Sequence, residues 1–477
     1  MSIIKSPTLI RGVAPPHPIE QSIRFNSPDN PAMSKTFSGA GTNKTWTFSC
    51  WFKRGGKEET RNMIFSAGSA GNSFGGLELG HGYGASYGRA PLRFYNYTGS
   101  GYDWSLQTSM AFADFSAWYH VTVVCDTTNA VASERARIYV NGVRITDFNS
   151  SGITANSFPS LDFAGNHWMG TTEHDIGTSI FTTQNFDGYL AEIHNIDGQA
   201  LDCNSFAEFN SSGIWVPKEY TGSYGTNGFH IKGESASDLG NDSSGNNNDF
   251  TTSGLASHDQ VSDSPTNNFN TINPLNPLSD GTLSQGNLKN VLSGNDQFYT
   301  TQELGIKSYC EVRVDALSNY GGTLGLGTFG GDDDDNSLVF QTNYSSGYIY
   351  LNGGNASANI GGTVSAGDIV MMAYDPTTRK WWVGVNGTWR NSGDPANGTG
   401  QVYQHSTTDF GDGIGAIVWG GWKGSANGLT VTWNFGQEGT FGGQETAGGN
   451  SDGNGIGNFK YSVPSGFLAL CTKNLGS

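Results

Sequence analysis

Carboxylates spaced along an extended strand are the first possible chemistry in this sequence of 477 residues. Hydrolysis of a glycosidic bond needs two acidic side chains on one face, one to attack the sugar and one to protonate the leaving group. Asp187 and Glu192 are candidates, but an odd number of positions separates them, so a regular strand directs them to opposite faces. We find no ExDxxE-like strand and predict no catalytic residues and no enzymatic activity.

Other catalytic and metal motifs are missing as well. The nine histidines are scattered, with no HExxH pair for zinc, and no serine lies in a GxSxG elbow. The glycine-rich strings lack the lysine and the strand-to-helix context of a phosphate-binding loop. The sequence therefore predicts no cofactor and no bound metal.

One acidic cluster leaves a calcium site open. Asp332, Asp333, Asp334 and Asp335 lie between two predicted strands, where carboxylates can hold a hard cation. Calcium loops usually alternate their ligands, and four consecutive acids cannot all converge on one ion. A solvated, self-repelling loop is the favoured interpretation.

Exposed aromatic rings are the best candidates for binding. Tyr83, Tyr87, Tyr102 and Trp104 lie in or beside glycine-rich loops, as do Tyr95 and Tyr97. Rings in such loops stack on sugar faces, although many of them pack in the interior instead. We predict Tyr83, Tyr87, Tyr102 and Trp104 as ligand-binding residues.

Composition limits the partners of the chain. The formal net charge is −17 and charged residues make up only 14% of the sequence, without a local basic patch. Nucleic acid and anionic membranes repel such a surface. We find no apolar stretch long enough to span a bilayer and no signal peptide at the N-terminus.

The five cysteines are far apart and lie mostly in apolar, strand-like runs. A disulfide between Cys50 and Cys125 requires neighbouring strands, and buried free thiols are the favoured alternative.

Period-two patterning and frequent turn residues predict the elements that hold these side chains. Trp46, Phe48, Cys50 and Phe52 alternate with a second set, Thr47, Ser49 and Trp51, which predicts a half-buried strand. The Asn-Gly pairs at 141–142 and 386–387 predict type I′ hairpins. Many short strands at regular intervals predict an all-β protein of two tandem antiparallel sandwiches.

Composition shifts divide the chain into four segments. We expect an N-terminal arm over 1–19, a possible particle anchor, and a first sandwich over 20–220. A connector rich in Gly, Asn, Ser and Pro follows over 221–285, and a second sandwich covers 286–477. The Asp/Gly/Asn motif at 238–249 either completes a sheet edge or is a turn-rich spacer.

Four ordered motifs of the first half resemble the laminin-G-like, concanavalin-A-like jelly-roll family: TWTFSCWFKRG at 45–55, WYHVTVVCDTT at 118–128, RIYVNGVRI at 137–145 and FDGYLAEIHNIDGQAL at 186–201. The second half looks like a SPRY domain, with GDIVMMAYDPTTRKWWVGVNGTW at 367–389, WNFGQ at 433–437 and PSGFLALC at 464–471.

The pairing of these two halves is similar to virion proteins of marine bacteriophages. This resemblance implies a tail fibre, appendage or capsid-surface protein, assembled in the host cytoplasm and released by lysis. The expected partners are other virion proteins, further copies of the chain and a host-surface glycan or protein. Two alternatives stay open: a capsid decoration protein without a receptor, and a polysaccharide depolymerase.

Overall fold

The computed structural model describes residues 17–56, 61–69, 73–80, 90–150, 156–165, 167–179, 184–275, 281–292, 296–318, 322–328, 337–341, 348–351, 354–357, 360–407, 409, 417–423 and 428–475. Strands and short 3-10 turns are the regular elements of these residues, and none of them is an α-helix. The described residues contain no helix with the length and hydropathy needed to cross a bilayer. The all-β prediction is confirmed.

The chain divides into two compact units at Thr266 and Asn267. Strands of the first unit are β1 (Ser22–Phe25), β2 (Ala32–Thr36), β3 (Thr45–Arg54), β4 (Asn62–Ser69), β5 (Ser73–Leu79), β6 (Pro91–Tyr97), β7 (Tyr102–Ala111), β8 (Tyr119–Asp126), β9 (Ala136–Val140), β10 (Val143–Ile145), β11 (Glu173–Ile176), β12 (Gly188–Asp197), β13 (Ala207–Phe209), β14 (Trp215–Pro217), β15 (Phe229–Ile231), β16 (Thr251–Ser253) and β17 (Gln260–Val261). Its 3-10 turns are Ser27–Asp29, Ala132–Glu134, Cys203–Ser205 and Ser257–Asp259.

Two antiparallel sheets form the first sandwich. One has the order β10-β9-β8-β3-β12-β1-β17, with β15 added to β12, and the other has the order β16-β2-β11-β4-β5-β6-β7. Alternate residues of both sheets, such as Phe48 of β3 and Phe65 of β4, stack in a shared core. Burial of these rings supplies the main driving force for the two-layer arrangement.

Strand β3 is buried on both faces, so the prediction of a half-buried strand is wrong. Phe48 faces the core, while Trp51 on the opposite face packs in a second apolar cluster with Ile19, Ala191 and Ala207. The partners of Trp51 in that second cluster are distant from β3 in the sequence, so period-two patterning within β3 cannot reveal them.

Much of the predicted connector belongs to the first sandwich. Within 221–285, β15 pairs with β12, β16 pairs with β2 and β17 pairs with β1. Backbone hydrogen bonding along sheet edges outweighs the turn-rich composition that suggested a spacer. The motif at 238–249 itself contains no strand: it is the turn-rich segment between β15 and β16, with an isolated bridge from Asp242 to Ile231. Ile19, placed in the predicted arm, is 4% exposed, and its backbone N–H donates to Thr266.

The second unit is another antiparallel sandwich. Its strands are β18 (Thr282–Ser284), β19 (Lys289–Leu292), β20 (Asp296–Tyr299), β21 (Ser308–Ser318), β22 (Thr323–Thr328), β23 (Ser337–Gln341), β24 (Ile349–Leu351), β25 (Gly354–Ser357), β26 (Ile369–Asp375), β27 (Lys380–Val385), β28 (Thr388–Trp389), β29 (Tyr403–Gln404), β30 (Ile417–Lys423), β31 (Gly428–Asn434) and β32 (Leu468–Ala469), with a 3-10 turn at Arg390–Ser392. One sheet has the order β18-β19-β31-β21-β26-β27-β28, and the other has the order β20-β30-β22-β23-β24-β25. A core that includes Trp381 and Trp419 lies between them.

Both predicted hairpin turns are confirmed. Asn141 and Gly142 have φ values of 47° and 83°, and Asn386 and Gly387 have φ values of 49° and 80°. These positive angles are those of a type I′ turn, which Asn and Gly adopt with little strain. The turns join β9 to β10 and β27 to β28.

Cys50 and Cys125 are free thiols, buried in the first core. Burial raises the pKa of the Cys125 thiol to about 12. Neither cysteine is therefore disposed to form a thiolate at neutral pH.

Candidate functional site

Two of the four predicted ligand-binding residues can be located. Tyr83 and Tyr87 lie outside the described residues. Tyr102 begins β7 and is 37% exposed, whereas Trp104 is 1% exposed and packs edge-on against Phe94 at 4.6 Å between ring centroids. Trp104 is a core residue without a free ring face. The β6–β7 pairing shifts register between Asn96 and Tyr97, so Tyr102 and Trp104 face opposite sides although only two positions separate them. Among the predicted residues described, Tyr102 alone offers a ring to a ligand.

Tyr102 belongs to a group of rings that we call the tyrosine cluster, formed by Tyr95, Tyr97 and Tyr102. The Tyr102 centroid lies 5.6 Å from that of Tyr95 and 5.0 Å from that of Tyr97. Tyr95 is buried, Tyr97 is half-buried and Tyr102 is the most exposed of the three. Solvent exposure therefore increases from Tyr95 through Tyr97 to Tyr102, whose ring is accessible.

The buried side chain of Arg93 fixes the position of Tyr102. Its guanidinium carbon lies 4.1 Å from the Tyr102 centroid and 4.6 Å from the Tyr95 centroid. Nη1 donates to the Tyr102 hydroxyl at 3.2 Å, and Nε donates to Ser105 Oγ at 3.0 Å. Cation–π attraction and a hydrogen bond on the same ring hold Tyr102 in one orientation.

The charge of Arg93 is balanced within the sheet. Glu78 Oε1 on the adjacent strand β5 lies 3.7 Å from Arg93 Nη1, and both side chains are fully buried. Tyr95 donates its hydroxyl proton to Glu78 Oε2 at 3.2 Å. Burial, followed by the Glu78 carboxylate, raises the pKa of Tyr95 well above its usual value, so Tyr95 stays a neutral donor. Gly76 leaves room for this ring, because a Cβ atom there would lie 2.6 Å from the Tyr95 hydroxyl.

A second group of polar side chains, which the sequence did not predict, lies on β12 and β15. We call it the histidine cluster and define it as Glu192, His194 and His230 together with His17. Three imidazole Nε2 atoms surround Glu192 Oε2, at 3.0 Å for His230 and 3.4 Å for both His194 and His17. This arrangement can hold a metal ion, whereas the sequence predicted no metal site.

The sequence carried part of this signal. Glu192 and His194 form an E-x-H pair within one strand, a spacing that differs from the helical HExxH motif. His230 joins them because β15 pairs with β12, which sets His194 opposite His230. That pairing lies in the segment predicted as a connector, so spacing could not supply the third ligand.

Asp187 and Glu192 have separate partners. Asp187 Oδ2 accepts a hydrogen bond from the backbone of Gly56, while Glu192 faces the histidines. The assumption of a regular strand does not hold here, because the register shifts between Ala191 and His194. Asp332, Asp333, Asp334 and Asp335 lie outside the described residues.

Comparison with known proteins identifies the type of fold. Residues 29–199 match one family model. It is the laminin-G-type model described as the concanavalin A-like lectin/glucanases superfamily. The first sandwich, whose order of motifs predicted this resemblance, is therefore concanavalin-A-like. No curated protein matches the sequence significantly.

Similar solved structures are distant. The SPRY domain of human HERC1 has 17% identity and a TM-score of 0.24, covering 32% of this chain and 91% of that domain. Mouse laminin α1 domains LG4-5 have 11% identity and a TM-score of 0.28, covering 88% of this chain and 90% of theirs. A putative carbohydrate binding protein from Bacteroides ovatus has 18% identity and a TM-score of 0.28, covering 50% of this chain and 59% of that protein.

Proposed function

We propose that this protein is a non-enzymatic structural protein of a bacteriophage particle that recognises a glycan or protein on the host surface. The observation that carries the recognition role is the exposed Tyr102 ring, which Arg93 holds from beneath by hydrogen bonding and ring contact. A rigid aromatic face loses little entropy when it stacks on an apolar face of a sugar.

The match to a lectin/glucanase family model supports binding of carbohydrate in the first sandwich. The low fraction of charged residues, 14%, supports recognition through neutral hydrogen bonds and stacking. The assignment to a phage particle rests on the sequence resemblance alone. Several copies in a symmetric assembly would raise weak single-site affinity through avidity.

Glycan binding by the full chain tests the recognition role. We expect a glycan array to identify a host-surface sugar, and titration calorimetry to show that Tyr102→Ala weakens its binding by about threefold to tenfold. Tyr102→Phe is the matched control, because it keeps the ring and loses only the bond to Arg93. Unchanged affinity of Tyr102→Ala would overturn the assignment of this site.

Two further experiments separate the alternatives. Mass spectrometry and antibody labelling of purified particles should detect the chain on the virion surface, and absence from particles would refute a structural role. The isolated protein should block adsorption of the phage if it binds the receptor, whereas a decoration protein should not compete. Release of reducing sugar from host glycans would instead support a depolymerase.

A further inference from the structure

We propose that Glu192, His194 and His230 bind a divalent transition metal, that this ion is Zn²⁺, and that His17, whose Nε2 lies 3.4 Å from Glu192 Oε2, moves inward to complete a tetrahedral site. The site is separate from the tyrosine cluster and does not depend on the proposed function.

The distances fit three of the four ligands of a tetrahedral ion. Ligand atoms of Glu192, His194 and His230 all lie within 4.8 Å of one another, and Glu192 Oε2 is 3.0 to 3.4 Å from the three imidazole nitrogens. Tetrahedral zinc with bonds of about 2.0 to 2.1 Å places its ligand atoms roughly 3.4 Å apart. Zinc binding therefore requires His17 to move toward the other ligands, and the stacked rings of His194 and His230 to turn until both Nε2 lone pairs point at the ion.

The ligand types select the metal. Three imidazole nitrogens and one carboxylate oxygen form a set that zinc and its neighbours in the transition series bind well. Calcium and magnesium take oxygen ligands almost exclusively, so this nitrogen-rich set disfavours both. The carboxylate also offsets one of the two charges of the ion.

Strand geometry brings Glu192 to the histidines at a conformational cost. The pairing of β12 with β3 has a register shift between Ala191 and His194, and Glu192 in this bulge has a φ of 47°. A left-handed conformation costs a non-glycine residue of order 1 kcal/mol and persists where the surroundings determine it. Such bulges re-aim side chains next to functional sites.

Further groups orient the histidines. The Tyr224 hydroxyl lies 3.0 Å from His194 Nδ1, and the His194 and His230 rings stack at 3.9 Å between centroids. The backbone N–H of His230 donates to Asp242 Oδ1 at 2.8 Å. Metal-binding histidines usually engage their second ring nitrogen as His194 does, which fixes the tautomer and the ring plane.

The site is built to link segments of the first unit. His194 lies on β12, His230 lies on β15, and His17 precedes β1. The His17 side chain is 22% exposed, compared with 3% for His194, and it marks the side from which an ion can enter. Four protein ligands leave no open position, so the ion would be structural rather than catalytic.

The alternative is a cluster held only by charge-assisted hydrogen bonds, and metal content separates the two. The full chain is stripped with EDTA, titrated with ZnCl₂ in a calorimeter, and analysed by elemental mass spectrometry after desalting. We expect one Zn²⁺ per chain, and a tetrahedral visible spectrum when CoCl₂ replaces zinc. No uptake of zinc, or a six-coordinate cobalt spectrum, would overturn the proposal.

Paired variants locate the ion. His194→Gln/His230→Gln is expected to bind zinc at least 100-fold more weakly than the native chain. The matched control is His258→Gln, since His258 lies in the same unit, 22% exposed and 4.0 Å from Asp259. Undiminished binding in the double variant would contradict the site. If that variant fails to fold, Glu192→Gln, which keeps the histidines, should show the same loss, and full binding by it would overturn the proposal.

Discussion

Two buried glutamates, one in each sandwich, are stabilised in opposite ways. Glu311 on β21 accepts hydrogen bonds from the backbone of Lys460 and Tyr461, both at 2.8 Å, and from the Tyr309 hydroxyl at 2.9 Å. Glu192 on β12 is surrounded by imidazoles instead. Backbone N–H groups have no lone pair that can bind a cation, whereas the nitrogen of a neutral imidazole has one. Glu311 therefore has a structural role, and Glu192 is suited to bind a ligand.

Truncation of each glutamate to alanine should give the largest difference between the two sites in unfolding free energy. Glu311→Ala leaves several buried donors unpaired and should cost the second unit about 3 kcal/mol or more of unfolding free energy. Glu192→Ala in zinc-free protein should cost the first unit about 1 kcal/mol, because it removes hydrogen bonds to imidazoles and leaves no backbone donor unpaired. Hydrogen exchange read by mass spectrometry measures both, through peptides from β21 and β12. Equal losses would contradict the distinction.

Zinc should stabilise the unit that contains Glu192 and leave the stability of the unit that contains Glu311 unchanged. At free Zn²⁺ about 100-fold above its dissociation constant, the first unit should gain about 2.7 kcal/mol of stability. Peptides from β12 and β15 should exchange more slowly, while those from β21 should not change. Slower exchange throughout both units would indicate nonspecific binding and not the histidine cluster.

A residue that supports the histidines should tune zinc affinity. Tyr224→Phe removes the hydroxyl beside His194 Nδ1 and should weaken zinc binding by about 10- to 100-fold in calorimetry. Tyr220→Phe is the control, because the Tyr220 hydroxyl donates to the Ser223 carbonyl while its ring packs against the same histidine. Equal effects of both variants would indicate a packing role alone.

The smallest expected effect is the contribution of Glu311 to the pH dependence of stability in the second unit. Burial raises the pKa of Glu311 above its usual value, although its hydrogen bonds oppose the shift. The folded second unit then binds the proton more tightly than the unfolded chain does, so this contribution favours folding at low pH. This stabilising contribution is lost as the pH rises from the pKa of about 4.3 in the unfolded chain through the raised pKa of Glu311 in the folded unit. Denaturant titrations at several pH values across that range give the unfolding free energy of the second unit as a function of pH. The slope of this dependence should differ between the native chain and Glu311→Gln, and equal slopes would contradict the prediction.

Local patterning predicted much of the fold. The alternation in β3 and the Asn-Gly pair at 141–142 identified strands and a hairpin, because both signals depend on residues close in sequence. The placement of 221–285 could not be predicted this way. Strands β15, β16 and β17 are short and polar or turn-flanked, and their partners β12, β2 and β1 lie far away in sequence.

The sites were predictable to a similar extent. Tyr102 was named from its loop context, but its restraint by Arg93 depends on cross-strand neighbours. Trp104, predicted together with it, lies in the core, since a bulge in the β6–β7 pairing turns it to the opposite face and local spacing does not show that bulge. The histidine cluster combines a bulge with a long-range strand pair, and neither has a reliable sequence signal.

X-ray absorption at the zinc edge of the loaded full chain tests the central distinction most directly. We predict a first shell of three imidazole nitrogens and one carboxylate oxygen at about 2.0 to 2.1 Å, lost in the His194→Gln/His230→Gln variant. A shell of six oxygens, or one containing sulfur, would contradict the account.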